Sequence, residues 1–361
     1  MIQSEIRISK AAILANYQHF CNQNKGRVIV PVIKSDAYGH GAVDIAGILS
    51  DCGVEYLAVF NIEEAIAIRE GGYTGNLWVL EGVLIEDIPI AMSLNITMAC
   101  WNRETLLALS DEAMRHNRVF KIHLAVDTGM CRLGFFPDEV PSILAEIKHL
   151  HGVKLTGCFS HLACANEPDN PVTVQQVQNF KTVMAMLPED CKEVHLCATD
   201  AMAFGYLPEL PFGRLGIGLY GYASEKAGVL KPAMTFASKI ISLKTVFAGQ
   251  RVSYGGLRLL ECDARLAVVP VGYADGYPRC LGNRMDVLVG GKRCPIYGNL
   301  CMGMMMVNVS DVPEVQVGDE VVLLGHQGDA VITADELAER AGTISYELLC
   351  ALGKNGHRRV L

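Results

Sequence analysis

Short runs of apolar residues alternate with amphipathic stretches from the start of the chain to about residue 220. The runs VIVPVIK (28–34), YLAVF (56–60), LWVL (77–80), ITMAC (96–100), FKIHLAV (120–126), LTGCFSH (155–161), EVHLC (193–197) and RLGIG (214–218) are short and nearly continuous, as strands buried on both faces are. Between most of them lie segments such as EEAIAIRE, RETLLALSDEAM and PVTVQQVQNFKTVMAML, whose apolar residues recur at helical spacing, and SKAAILANYQHF precedes the first. Eight strand–helix units in about 220 residues predict a closed (β/α)8 TIM barrel. A doubly wound open sheet is the alternative, weakened because no G-x-G-x-x-G follows the first strand.

After about residue 230 the pattern changes. MTFASKIISLKTVF, ARLAVVPVGYA, RMDVLVGGKRCPIYG and GDEVVLLG read as strands separated by Gly, Asp and Asn turns, with one helical patch near ADELAERAG. The expected organisation is a barrel over residues 1–230 and a mainly β domain over residues 231–361. In a barrel the C-terminal ends of the strands face the active site. Those ends hold Lys34, Asp127 with the following TGMCR, His161, Asp200 just beyond the seventh strand, and Arg214.

Lys34 closes an apolar run, where a charged residue is usually excluded. A lysine in an apolar mouth has its ammonium form disfavoured, leaving the amine free as nucleophile or base, and a Schiff base with an aldehyde cofactor such as pyridoxal 5′-phosphate is the natural use. An ordinary lysine snorkelling from a strand end is the alternative. Tyr38 and the Gly-His-Gly loop after it favour the first reading, since a phenol and exposed backbone N–H groups suit a phosphate.

Half the residues are hydrophobic and 19% are charged, which excludes a disordered chain. A net charge of -8 with no Lys/Arg run speaks against a nucleic-acid or anionic-membrane partner and for a small one. MIQSEIRISK lacks the apolar core of a leader peptide, and no stretch of about 18 apolar residues offers a membrane segment. The 13 cysteines are scattered without a C-x-x-C pair and read as reduced thiols, so a cytoplasmic protein is expected. Cys158, His161 and Cys164 are the nearest thing to a metal motif but have no second ligand pair, and no metal is expected.

IKSDAYGHGA resembles the pyridoxal-phosphate signature of alanine racemases. LAVFNIEEAIAIREGG, VDTGMCRLGF, GCFSHLA, RLGIGLYG, VSYGG, VGYADGYPR and CMGMMMV resemble further segments of that family, in the same order along nearly the whole chain. The resemblance implies a fold-type III isomerase, a barrel followed by a β domain. It further implies a homodimer with shared active sites, interconverting L- and D-alanine by two bases and supplying a D-amino acid for cell-wall precursors. Carried over, Lys34 is the cofactor lysine and one base, and Tyr254 in VSYGG is the second base, contributed by the other subunit. His161 matches the histidine beside that tyrosine. Arg214 matches the arginine facing the cofactor's ring nitrogen, and Arg132 the one near the substrate carboxylate. The backbone at Gly216 and Ile217 matches phosphate donors. Tyr273 and Met302 match residues of the substrate entrance and carboxylate site.

Departures from the family pattern bear on substrate choice. Ala125 stands where many members carry a carbamylated lysine, Gly303 where a Cys-Met-Asp motif ends in aspartate, and Asp36 in place of a common asparagine. Asp200 aligns with a phosphate-side serine, and near the C-terminus Lys354 and Asn355 stand where the family has a phosphate-binding tyrosine. A carboxylate repels a phosphate dianion, so Lys354 is expected to offset Asp200 or to pair with phosphate directly. A racemase for serine or for a broader range of amino acids is therefore the nearest alternative, and a non-catalytic cofactor-binding protein a more distant one. Retention of both Lys34 and Tyr254 favours the enzyme.

Overall fold

The computed structural model describes residues 4–354 and 357–361. The chain divides into two compact units: one holds Ile13–Ala37 and Ala42–Lys231, the other the N-terminal stretch through Ala12, Tyr38–Gly41 and Pro232–Leu361.

The chain opens on a strand, β1 (Ser4–Ile8), which belongs to the second unit. Eight strands then build the first: β2 (Val28–Pro31), β3 (Tyr56–Val59), β4 (Asn76–Val79), β5 (Thr97–Cys100), β6 (Phe120–Ala125), β7 (Val153–Phe159), β8 (Glu193–His195) and β9 (Phe212–Leu215). Strands β3 to β8 form one parallel sheet in sequence order, and β2 pairs in parallel with β9. Two hydrogen bonds close the ring: Ile33 N–H to Ala58 O (2.8 Å) and Arg214 N–H to Cys197 O (2.9 Å). The strands are buried almost throughout because helices cover the outside and side chains fill the inside. Helices Lys10–Gln23, Ile62–Glu70, Arg103–Arg115 and Pro171–Met184 lie where the amphipathic stretches predict them. Asn61, Asn102 and Asn170 cap the last three through side-chain oxygens.

The second unit is built on a seven-stranded sheet in which β1 lies between Met234–Lys239, antiparallel, and His357–Val360, parallel. A three-stranded sheet of Ser242–Val246, Ala264–Val269 and Met305–Asn308 accompanies it. The expectation of one helical patch is corrected. Ala334–Ala341 is followed after three residues by a second helix, Ser345–Gly353, whose largely apolar sequence hides a helical period. The first and last strands have no apolar run to mark them: SEIRI alternates Glu5 and Arg7 with buried Ile6 and Ile8, and HRRV carries two adjacent arginines and one apolar residue.

Candidate active site

The turn after β2 is left-handed. Ser35, Asp36, Ala37 and Tyr38 all have φ between 52° and 54°, a region that L-residues with side chains avoid. Neighbouring groups hold it there. Glu64 accepts the Ser35 N–H (2.6 Å) and the Phe60 N–H (2.7 Å), Asp36 Oδ1 accepts the Ala42 N–H (2.7 Å), and Ala37 N–H reaches Ile33 O (2.9 Å). Asp36 thus has a structural use here, tying down the start of helix Ala42–Asp51. The turn leaves Lys34 half-buried at the barrel mouth, its Nζ 5.4 Å from the centre of the Phe60 ring. Tyr38 is buried, with its ring 5.9 Å from that of Tyr346. The Gly-His-Gly loop does not present exposed N–H groups as expected: Gly39, His40 and Gly41 are buried. Gly39, at φ 82°, lies so close to Gly353 and the Leu349 carbonyl that a Cβ there would collide with both.

Arg214 is 4% exposed. The two N–H groups of its Nη2 are shared among Ser160 O (2.8 Å), Leu196 O (3.0 Å) and His161 Nδ1 (3.2 Å), and its Nη1 donates to His195 O (3.2 Å) and to His195 Nδ1. Because arginine only donates, His161 Nδ1 must be the acceptor, so its proton sits on Nε2. Burial together with the positive charges of Arg214, Arg132 and Lys34 pushes the His161 pKa down to about 3, so the ring is neutral. The same charges show that the structure brings Lys34, Arg132 and Arg214 around His161.

Arg132 is exposed in the loop after β6. That loop is organised by Asp127, whose carboxylate accepts the N–H groups of Gly129, Met130, Cys131 and Arg132 at 2.8–3.0 Å. Burial alone would raise the Asp127 pKa; the four N–H groups outweigh it and hold it below the usual carboxylate range. Asp127 therefore shapes the loop, three of the four N–H groups going to Oδ1 and one to Oδ2. Ala125, at the end of β6, is buried.

Asp200 lies in the first turn of Thr199–Ala203 and accepts the Ser224 N–H (3.0 Å). The neighbouring Thr199 hydroxyl accepts the N–H groups of Gly216 (3.1 Å) and Gly218 (3.2 Å), which fixes the turn that carries Gly216 and Ile217.

In the second unit, Tyr254, Tyr273 and Met302 stand on adjoining loops. Ser253 Oγ donates to Asn299 O (2.6 Å) and Asn299 Nδ2 to Tyr254 O (2.8 Å), while the N–H groups of Tyr273 and Ala274 reach Cys301 O (3.2 Å) and Met302 O (2.8 Å). Tyr254 is 70% exposed, and Met302 and Tyr273 are exposed as well. A Cβ on Gly303 would meet no atom within 4 Å. Lys354 is exposed just after helix Ser345–Gly353; Asn355 lies outside the described residues.

Residues 8–224 match the family described as "Alanine racemase, N-terminal domain" and residues 233–360 the one described as "Alanine racemase, C-terminal domain". The chain belongs to the alanine racemase family. The alanine racemase of Syntrophobacter fumaroxidans is 38% identical over 362 residues, 98% of this chain and 96% of that protein, and that of Halothermothrix orenii 37% identical over 90% of this chain and 88% of its own. Among solved structures, the alanine racemase of Clostridium difficile 630 superposes with a TM-score of 0.93 at 32% identity, covering 100% of this chain and 96% of that one. The Bacillus anthracis alanine racemase with bound L-Ala-P gives 0.91 at 30%, covering 100% and 95%.

Sequence reasoning missed Glu64, which holds the lysine's turn, and His123 and His195, two fully buried histidines in the barrel interior. The signal was present in FKIHLAV and EVHLC, each with one histidine between apolar neighbours in a short strand.

Proposed function

We propose that this protein is a pyridoxal-phosphate-dependent alanine racemase, an isomerase that interconverts L- and D-alanine. The observation that carries the reading, beside the family, is the convergence of Lys34, Arg132 and Arg214 on a neutral His161 at the C-terminal ends of barrel strands. Lys34 there fits an aldehyde cofactor, Arg214 the ring of that cofactor, and Arg132 a substrate that bears a carboxylate. When bound, the cofactor supplies an electron-withdrawing ring conjugated to the substrate's amino group, which acidifies the Cα–H.

The chain's own residues do the rest. With the cofactor bound, Lys34 would hold it at the aldehyde through Nζ and would hold a proton on one face of the substrate. Arg214 would place a permanent cation at the ring nitrogen of the bound cofactor and so keep it unprotonated, which would limit how long negative charge persists on the substrate and so limit side reactions. Arg132 orients the substrate carboxylate. Racemisation needs a second proton holder on the opposite face, and Tyr254 is the candidate. A phenol with its usual pKa near 10 needs help to lose its proton. The Nε2–H of His161 is a donor suited to a phenolate oxygen. The high exposure of Tyr254 suits a residue that completes the site of a second subunit, so the working form is read as a homodimer, and the charge balance and reduced cysteines as those of a cytoplasmic enzyme. Gly216 and Ile217 are read as phosphate donors, Tyr38 as a further cofactor-binding residue, Lys354 as the charge that offsets Asp200, and Tyr273 and Met302 as the substrate entrance. Residues 1–230 and 231–361 are read as the barrel and β domains, save that the stretch through Ala12 and Tyr38–Gly41 goes with the second.

A chiral assay of the purified holoenzyme with L-alanine, L-serine and L-lysine tests the reading. Alanine is expected to reach equal amounts of both enantiomers fastest. Serine outrunning alanine would move the assignment to the nearest alternative, which the open space at Gly303 favours. No interconversion by protein that retains bound cofactor would overturn it.

A further inference from the structure

Arg214 stands at one end of a chain of side chains that runs through the barrel interior. Its Nη1 donates to His195 Nδ1, His195 Nε2 lies 3.0 Å from His123 Nδ1, and His123 Nε2 lies 2.8 Å from Glu193 Oε2. Both imidazoles are buried, while Glu193, at the start of β8, is partly open to solvent. The His195 ring is clamped between two aromatic faces, Trp78 at 4.6 Å with an interplanar angle of 13° and Phe159 at 5.0 Å with 8°.

The polarity of this chain is determined by its ends. Arginine cannot accept, so His195 Nδ1 must, which leaves the proton of His195 on Nε2. That proton is donated to His123 Nδ1, so His123 carries its own on Nε2 and donates it to the carboxylate. Protonating either ring fully would set one N–H against another, so both stay neutral. Burial also lowers the pKa of both rings.

The backbone makes room for the arrangement. The pairing of β6 with β7 skips a residue between Ile122 and His123, which sets His123 opposite Gly157. A Cβ on Gly157 would lie 2.7 Å from the His123 ring and 2.3 Å from Glu193 O. This slot admits the imidazole only because residue 157 has no side chain.

We propose that Glu193, His123 and His195 are positioning residues for Arg214: the carboxylate anchors two neutral imidazoles in a single tautomer, and the chain holds Arg214 as an oriented cation against the cofactor's ring nitrogen. The inference rests on the racemase reading and extends it to residues remote from the reacting atoms. Its consequence is chemical fidelity. If Arg214 is loosened, the ring nitrogen gains a proton, negative charge persists longer, and the amino group passes to the cofactor, leaving pyruvate and the cofactor's amine form.

Two measurements test it. In ¹⁵N spectra of histidine-labelled holoenzyme, His123 and His195 are expected to carry their protons on Nε2 and not to titrate between about pH 6 and 9. A proton on Nδ1 of either ring, or titration in that range, would overturn the chain, and this measurement needs no variant to fold. The second is the number of cofactors converted to the amine form per racemisation event with L-alanine. Glu193→Leu, which removes the acceptor, is expected to raise it at least about tenfold, the equivalent of one pKa unit at the ring nitrogen. Glu193→Gln, which keeps an acceptor for His123, is expected to leave it within about twofold. An unchanged ratio in Glu193→Leu, or an equal rise in Glu193→Gln, would overturn the positioning role. Failure of the unaltered protein to racemise any amino acid would instead overturn the racemase reading, with the ¹⁵N result still deciding the chain.

Discussion

Removing the Glu64 carboxylate isolates what the left-handed turn contributes to cofactor binding. Four consecutive left-handed residues cost roughly 1–2 kcal/mol each, about 4–8 kcal/mol in all, so the turn exists only while other contacts hold it. Glu64 supplies two charge-assisted bonds, to Ser35 N–H and Phe60 N–H. Since Ser35 is exposed, the pair is worth about 3 kcal/mol, the low end for bonds to a charged group. Glu64→Ala should let the turn relax and carry Lys34 and Tyr38 from their places. If cofactor binding must rebuild the turn, affinity falls by up to about 100-fold, at 1.4 kcal/mol per decade. Titration of the apo-protein with pyridoxal phosphate, followed by visible absorbance, measures this directly. Glu64→Gln, which can accept one of the two bonds, should fall between. Adding Ala37→Gly to Glu64→Ala should recover part of the loss, because glycine removes about 1–2 kcal/mol of left-handed strain and loses about 0.5–1 in chain entropy. Glu64→Ala binding within twofold of the unaltered protein, with no fall in Tm, would refute this account of the turn.

Acid should destabilise the protein through its buried histidines. His161 and His195 have folded pKa values well below the unfolded 6.5, so below pH 6.5 the unfolded chain binds more protons and stability falls as pH falls. By pH 5.5 the two together are expected to cost about 3 kcal/mol, read as a lower denaturant midpoint than at pH 7.5, and an unchanged midpoint would contradict neutral burial of these rings. Lys354→Met is expected to weaken cofactor retention in dialysis; unchanged retention would remove Lys354 from the phosphate site. Gly303→Asp meets no atom, so stability should stay within about 0.5 kcal/mol while the preference for alanine over serine rises in competition assays.

The barrel was legible because burial on both faces makes each of its strands a short apolar run, and the lengths between runs leave room for one helix each. Lys34, His161 and Arg214 were legible for the converse reason, being charged or polar at the ends of such runs. What escaped were interactions between distant positions. Nothing local to Glu64 marks it as the partner of Ser35, and nothing in EVHLC pairs Glu193 with the histidine of another strand, since that contact depends on a skipped residue opposite Gly157. The left-handed turn was hidden because Ser35, Asp36, Ala37 and Tyr38 include no glycine, the usual sign of positive φ. The terminal strands escaped because the first alternates its apolar residues with charges over only five residues and the last has a single apolar residue.

The central claim is that alanine exchanges its α-proton on two opposed faces, one served by Lys34 and the other by Tyr254. Deuterium incorporation into alanine in D₂O, followed separately from each pure enantiomer, measures it most directly. The unaltered enzyme should label and interconvert both enantiomers, and Tyr254→Phe should still label one of them while interconversion falls by at least about 100-fold. Tyr254→Phe that interconverts at the unaltered rate, or an unaltered holoenzyme that labels neither enantiomer, would contradict the account.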